Sequence, residues 1–212
     1  MSAISDLEKD LCTLLKSLEY DDDSCNTIIE QLNEMAELYE TKTLVNVYQT
    51  CIEMLLQRNY DITEIDLESL EISALKPCGE PVMVTFSYTN NFDMESLKEI
   101  IQKMEENETD HVIVIYKNGV TSATNISLKS MHSKRIELFS RLNMTINITK
   151  HRLQPKFERL SDEEAKKFKK KYGTQFGIMK SSMPPARFYD FKRGDIIRIT
   201  RNNGYITYRI VT

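Results

Sequence analysis

The residue types that most often do chemistry are thinly spread along this chain. Its three histidines, His111, His132 and His151, share no His-x-x-x-His or His-Glu-x-x-His spacing. No helix face can therefore offer two imidazoles to one metal ion. The four cysteines, Cys12, Cys25, Cys51 and Cys78, include no Cys-x-x-Cys pair of the kind a structural zinc site uses. Cys12, Cys25 and Cys51 fall in apolar helical stretches and read as small buried hydrophobes. Six glycines in 212 residues supply no phosphate-cradling loop for a dinucleotide or nucleotide. No Ser, Cys or Thr stands in a nucleophile motif. The expectation is a chain with no cofactor, no metal centre and no small-molecule substrate.

One enzymatic pattern invites a test. In metal-dependent nucleases a carboxylate and a Glu-x-Lys on adjacent strands hold magnesium and activate water. Lys117 ends the run HVIVIYK in the right place, but the residue two before it is Ile115. Without that carboxylate the ion lacks a ligand, and Asp93 and Asp110 do not replace it without an unusual geometry. The run Lys166, Lys167, Lys169, Lys170, Lys171 raises nucleic acid as a ligand. Its spacing around Phe168 and Tyr172 reads as the solvated face of a short helix whose buried edge is those two aromatics.

The elements that must position these residues are set by charge and hydrophobic period. Residues 1–150 carry 13 Lys and Arg against 26 Asp and Glu, a balance of −13. Residues 151–212 carry 15 against 6, a balance of +9. Such asymmetry implies two domains with different partners, or one half that docks on an acidic surface. No apolar run approaches the roughly 18 residues of a membrane span, and MSAISDLEKD lacks a secretory layout. A soluble intracellular chain with no membrane partner is expected.

Three amphipathic helices are predicted in the first 58 residues, on the stripes Ile4 to Leu18, Ile28 to Leu38 and Leu44 to Leu55. Pro81 to Tyr88 predicts a strand, Asp93 caps a helix from Met94 to Met104, and HVIVIY predicts a strand buried on both faces. Asn118-Gly119 predicts a turn, Thr121 to Arg141 contains a short helix, and Met144 to Thr149 predicts a third strand. Strand, helix, strand, helix, strand is an α/β layout with parallel neighbours.

The last third has its own grammar. Ser161 and Glu164 form a capping box, and the helix they open runs from acidic to basic before Gly173 stops it. Pro184-Pro185 predict an extended segment. Asp195 to Thr200 and Tyr205 to Val211 predict a hairpin joined at Asn202-Asn203-Gly204, residues tolerant of positive φ.

These residues carry a resemblance. His151 and Pro155, the Leu160 to Glu164 helix start, Lys171-Tyr172, Met183 to Phe188, Phe191 to Gly194 and Tyr205 to Arg209 keep a family's order and spacing over about 65 residues. The family is the fifth subunit shared by eukaryotic-type DNA-directed RNA polymerases, whose archaeal counterpart consists of this domain alone. Upstream the likeness is looser: HVIVIYKNGVTSATNISL resembles the jaw-domain strand, turn and Thr-Pro-Ser-Ala segment, here Thr121-Ser122-Ala123 without the Pro. Asn59 to Thr63 resembles the segment after the family's first helix, which would begin at Thr41. Met183 replaces the family's Asp, and the loop 202–204 is shortened, so the chain resembles a divergent member, such as one from a protist lineage or a large DNA virus.

The resemblance implies an α+β protein: a helical addition (1–40), a nuclease-like α/β jaw domain (41–148) and a small C-terminal assembly domain with a β-hairpin (149–212). It implies a noncatalytic polymerase subunit, located in the nucleus if cellular and in a virion or cytoplasmic factory if viral. Its partners would be the largest polymerase subunit, the rest of the complex, and downstream DNA beside the jaw. Anchoring is expected from Arg187, Lys192, Arg193, Gly194, Arg198 and Arg209, because guanidinium forks suit carboxylate-rich surfaces. For Gly194 and Arg209 the alternative is a plain turn and an internal pair. A jaw of such negative charge repels DNA, so contact there should be local and weak. The competing function is a free-standing DNA-binding module built on the basic C-terminal domain.

Overall fold

The computed structural model describes residues 6–38, 43–66, 68–131, 133–173 and 176–212. Ile4, Thr41 and His132, singled out above, lie outside them. The chain divides into two compact units, Met1–Ile146 and Asn147–Thr212.

The first unit opens with three helices, α1 (Asp6–Lys16), α2 (Asp22–Leu38) and α3 (Leu44–Gln57). Their apolar stripes are buried: Leu11 and Leu15 on α1, Cys25, Ile28, Ile29 and Leu32 on α2, and most of α3. The α1–α2 connection turns through Glu19 at φ 69°, and the Asp21 carboxylate accepts the Ser24 amide at 2.8 Å, starting α2. After α3, Asn59 takes the left-handed conformation and releases the chain into the sheet.

That sheet has five strands in the order β1 (Asp61–Ile65), β2 (Ile72–Leu75), β3 (Pro81–Ser87), β5 (His111–Tyr116), β7 (Arg135–Ser140). The first three pair antiparallel, and β3, β5 and β7 run parallel. Alternation assigns the faces. Met83, Val112 and Val114 join Leu97, Ile100 and Met104 of α4 (Met94–Glu106), with Leu128 of α5 (Ser122–Ser130) packed against them. On the other face Phe86 stacks on Tyr48 of α3 at 5.7 Å. With both faces covered, β5 is apolar from Val112 to Ile115, as its sequence predicts.

Two expectations in this unit need correction. The third parallel strand is Arg135–Ser140, while Met144 to Thr149 forms short 3-10 turns. Asn147 explains part of the difference, since its Oδ1 accepts both the amide and the hydroxyl of Thr149 and so stabilises a local turn over a β ladder. Asn118-Gly119 is a bend rather than a closed turn. Gly119 already lies in β6 (Gly119–Val120), which pairs parallel with β4 (Asn91–Phe92).

The second unit is a four-stranded sheet in the order β8 (Lys156–Arg159), β10 (Ile196–Thr200), β11 (Ile206–Val211), β9 (Gly177–Met179). The β10–β11 hairpin forms as predicted, with Gly204 at φ +79°. Strands β8 and β9 are additions to the predicted elements. Helix α6 (Asp162–Tyr172) carries the full capping box, and α7 (Pro184–Phe188) starts at the paired prolines, where the sequence suggests an extended segment. Their fixed φ suits a first helical turn, where the missing amides have no helical partner to lose. The core joins Met179, Ala186, Ile197, Ile199 and Val211. The aromatics of α6 are less buried than expected: Phe168 is half-buried against Tyr208 (4.3 Å) and Tyr172 is 57% exposed.

Candidate functional site

The expected anchoring residues lie in the second unit on one helix, one turn and two strands. Arg187 is half-buried on α7. Lys192, Arg193 and Gly194 form the turn into β10. Gly194 sits at φ +94°, and its amide donates to the Val211 carbonyl at 2.8 Å, tying the turn to β11. Asp195 organises the turn: its Oδ2 accepts the Lys192 amide (2.7 Å) and its Oδ1 accepts Arg159 Nε (2.8 Å). Lys192 Nζ pairs with Asp190 at 2.6 Å, whereas the exposed Arg193 makes no ion pair among the described residues.

Register separates the remaining two arginines. Arg198 stands opposite Tyr208 on β11 and Glu158 on β8, whereas Arg209 stands opposite Ile197. Neighbouring residues of a strand point to opposite faces, so the two guanidiniums leave the sheet on opposite sides. Arg198 pairs with Glu158 at 3.1 Å, and that carboxyl is held below its ordinary range by Lys156 and then by Arg198. Arg209 Nη1 donates to the Ile178 carbonyl at 3.2 Å. The six residues therefore do not form one patch: α7 and Arg209 share the Ile197 face, and Arg198 lies behind it.

In the first unit, the nuclease position is filled by apolar packing. Ile115 is 2% exposed at the centre of the sheet, with Lys117 just beyond β5. Among the described residues, no three His, Cys, Asp or Glu side chains gather as metal ligands. What does gather there is a charged cluster that sequence reasoning missed. Glu137, inside β7, receives His111 Nε2 at 2.7 Å, Arg58 Nη2 at 3.0 Å and Arg135 Nη2 at 2.9 Å. Burial pushes its carboxyl up, but the His111 hydrogen bond and the two guanidiniums outweigh it and hold the group well below the usual carboxylate range. Burial drives the His111 imidazole down against that same hydrogen bond, keeping it neutral, and its buried Nδ1 has no hydrogen-bond partner among the described residues. A carboxylate so firmly ionised is a poor proton acceptor. The cluster ties the end of α3 to β5 and to the edge strand β7. The sequence signals were a lone acidic residue in RIELFS and an Arg closing an apolar helix.

Comparison with known proteins defines the class. Residues 146–211 match the family described as RNA polymerase Rpb5, C-terminal domain. A protein of Invertebrate iridescent virus 6, "Putative DNA-directed RNA polymerase subunit 454R", is 38% identical over 136 residues, spanning 58% of this chain and 72% of the viral one. The subunit rpabc1 of DNA-directed RNA polymerases I, II, and III from Dictyostelium discoideum is 24% identical over 189 residues, 79% of this chain and 96% of that protein. The Caenorhabditis elegans RPABC1 is 26% identical over 204 residues, covering 81% and 97%. These likenesses define a DNA-directed RNA polymerase subunit class. Within it, this chain belongs to the Rpb5 family.

Proposed function

We propose that this chain is a noncatalytic subunit of a multisubunit DNA-directed RNA polymerase. Its C-terminal domain, 149–212, anchors it on the largest subunit, and residues 41–148 act as a jaw beside downstream DNA. The observation that carries this reading is the extent of the likeness: it runs over about four fifths of the chain in the Dictyostelium and Caenorhabditis relatives. The filled position at Ile115 favours a jaw without nuclease chemistry. Arg187, Lys192, Arg193, Gly194, Arg198 and Arg209 remain the anchoring set, with Arg193 exposed and Lys192 and Arg198 each engaged in an internal ion pair. The polymerase acts in the nucleus if cellular and in a virion or cytoplasmic factory if viral.

The test is a tagged pull-down from the native source at moderately high salt. Recovery of both large catalytic subunits in near-equal amount is the expected result. Recovery of nucleic acid alone would turn the chain into a DNA-binding module. Incubation of the purified chain with magnesium and plasmid should give no cleavage, with Lys117→Ala indistinguishable from the parent.

A further inference from the structure

On the Ile197 face of the C-terminal sheet lies an apolar groove of about 260 Å³. Its floor is Met179 and Ile199, which belong to the core of this unit. Its walls are Phe157 and the residues opening α7, Met183, Pro184 and Pro185. Small-molecule sites usually begin near 300 Å³ and enclose their ligand. This one is open and has room for only one or two side chains.

The charges around the groove select the occupant. Among the described residues, two guanidiniums, Arg201 and Arg209, line it, and no carboxylate does. Arg209 bonds a backbone carbonyl, which leaves its charge unneutralised, and the exposed Arg201 has no ion pair among the described residues. Met183, at the rim, is 41% exposed. An apolar cleft with two uncompensated cations fits an extended peptide that sets an aliphatic or aromatic side chain beside Asp or Glu. Arginine forks bind such carboxylates bidentately.

We infer that this groove receives an acidic, apolar segment of the largest polymerase subunit, an inference that rests on the polymerase reading above. It makes Arg201 and Met183, absent from the sequence-based set, specificity-determining contacts alongside Arg209. The lysine face of α6 lies on the opposite side of the sheet and takes no part.

The test co-expresses the full chain with the largest polymerase subunit from the same genome and measures co-purification. Both Arg201→Glu and Met183→Glu alter exposed positions, so each should keep the parental unfolding temperature while losing about tenfold or more of the bound subunit. Lys170→Glu on α6 should lose nothing. A photo-crosslinking residue at Met183 should capture a peptide carrying Asp or Glu next to an apolar residue. If both groove variants co-purify at parental levels, or the crosslink falls on nucleic acid, the groove assignment is overturned while the polymerase reading stands. If the parent chain itself fails to bind the large subunit, the polymerase reading fails, and the assignment with it.

Discussion

Glu137 carries more of the first unit's architecture than its lone position in RIELFS suggests. Its partner Arg58, whose side chain is 1% exposed, comes from 79 residues upstream and also lies over the rings of Tyr60 and Phe139. Truncating one member of a buried pair leaves the other charge unpaired, at a cost of about 3 kcal/mol or more. Arg58→Met should therefore lower urea-unfolding stability by about that amount, and an unchanged midpoint would show that Arg135 alone suffices. The same cluster sets an acid limit. His111 and Glu137 both have folded pKa values below their unfolded ones, so each binds fewer protons when folded. Their stabilisation is complete above the ordinary His value of 6.5 and declines as the pH falls below it, first through His111 and then through Glu137. Unfolding temperature measured from pH 8 down to pH 4 should fall, and His111→Phe should flatten the upper part of that decline.

At the scale of elements, what was legible depended on how local the cause was. The β5 strand, the α4 cap at Asp93 and the Ser161–Glu164 box all follow from neighbours within a few residues. Removing the box hydroxyl with Ser161→Ala should cost about 1 kcal/mol. Faster amide exchange confined to the first turn of α6 would report it, and a uniform change across the unit would contradict a local role. Strand β7 was illegible because its charges, Arg135 and Glu137, look like surface residues until Glu137 is seen to pair with Arg135 and with the buried Arg58 and to accept from His111. Strands β8 and β9 are only four and three residues long, too short for a period to show, and exist through ladders to β10 and β11. The paired prolines misled because the same fixed φ serves an extended segment and a first helical turn.

At the scale of the molecule, the charge split at residue 150 lies within a few residues of the division between the two units. The C-terminal unit has its own core and its own four-stranded sheet, so a fragment spanning 147–212 should unfold cooperatively, with a stability of about 3 kcal/mol. A denaturation curve without a cooperative step would show that it needs the preceding chain or its partner. The whole protein, carrying −13 in its first 150 residues, should bind duplex DNA weakly at physiological salt in an anisotropy titration. Tight binding would mean that the C-terminal basic face dominates.

The sequence by itself determined the helices with clear stripes or caps, the strand buried on both faces, where the hairpin turns, and the polymerase family. Each is written in short-range period, capping and turn chemistry, or in a spaced motif. Tertiary structure alone decided that Glu137 is a buried anchor, that Arg198 and Arg209 face opposite ways, and that Arg201 and Met183 border one groove. Those outcomes depend on strand register and on pairings dozens of residues apart, and a one-residue shift in register reverses which side chains meet.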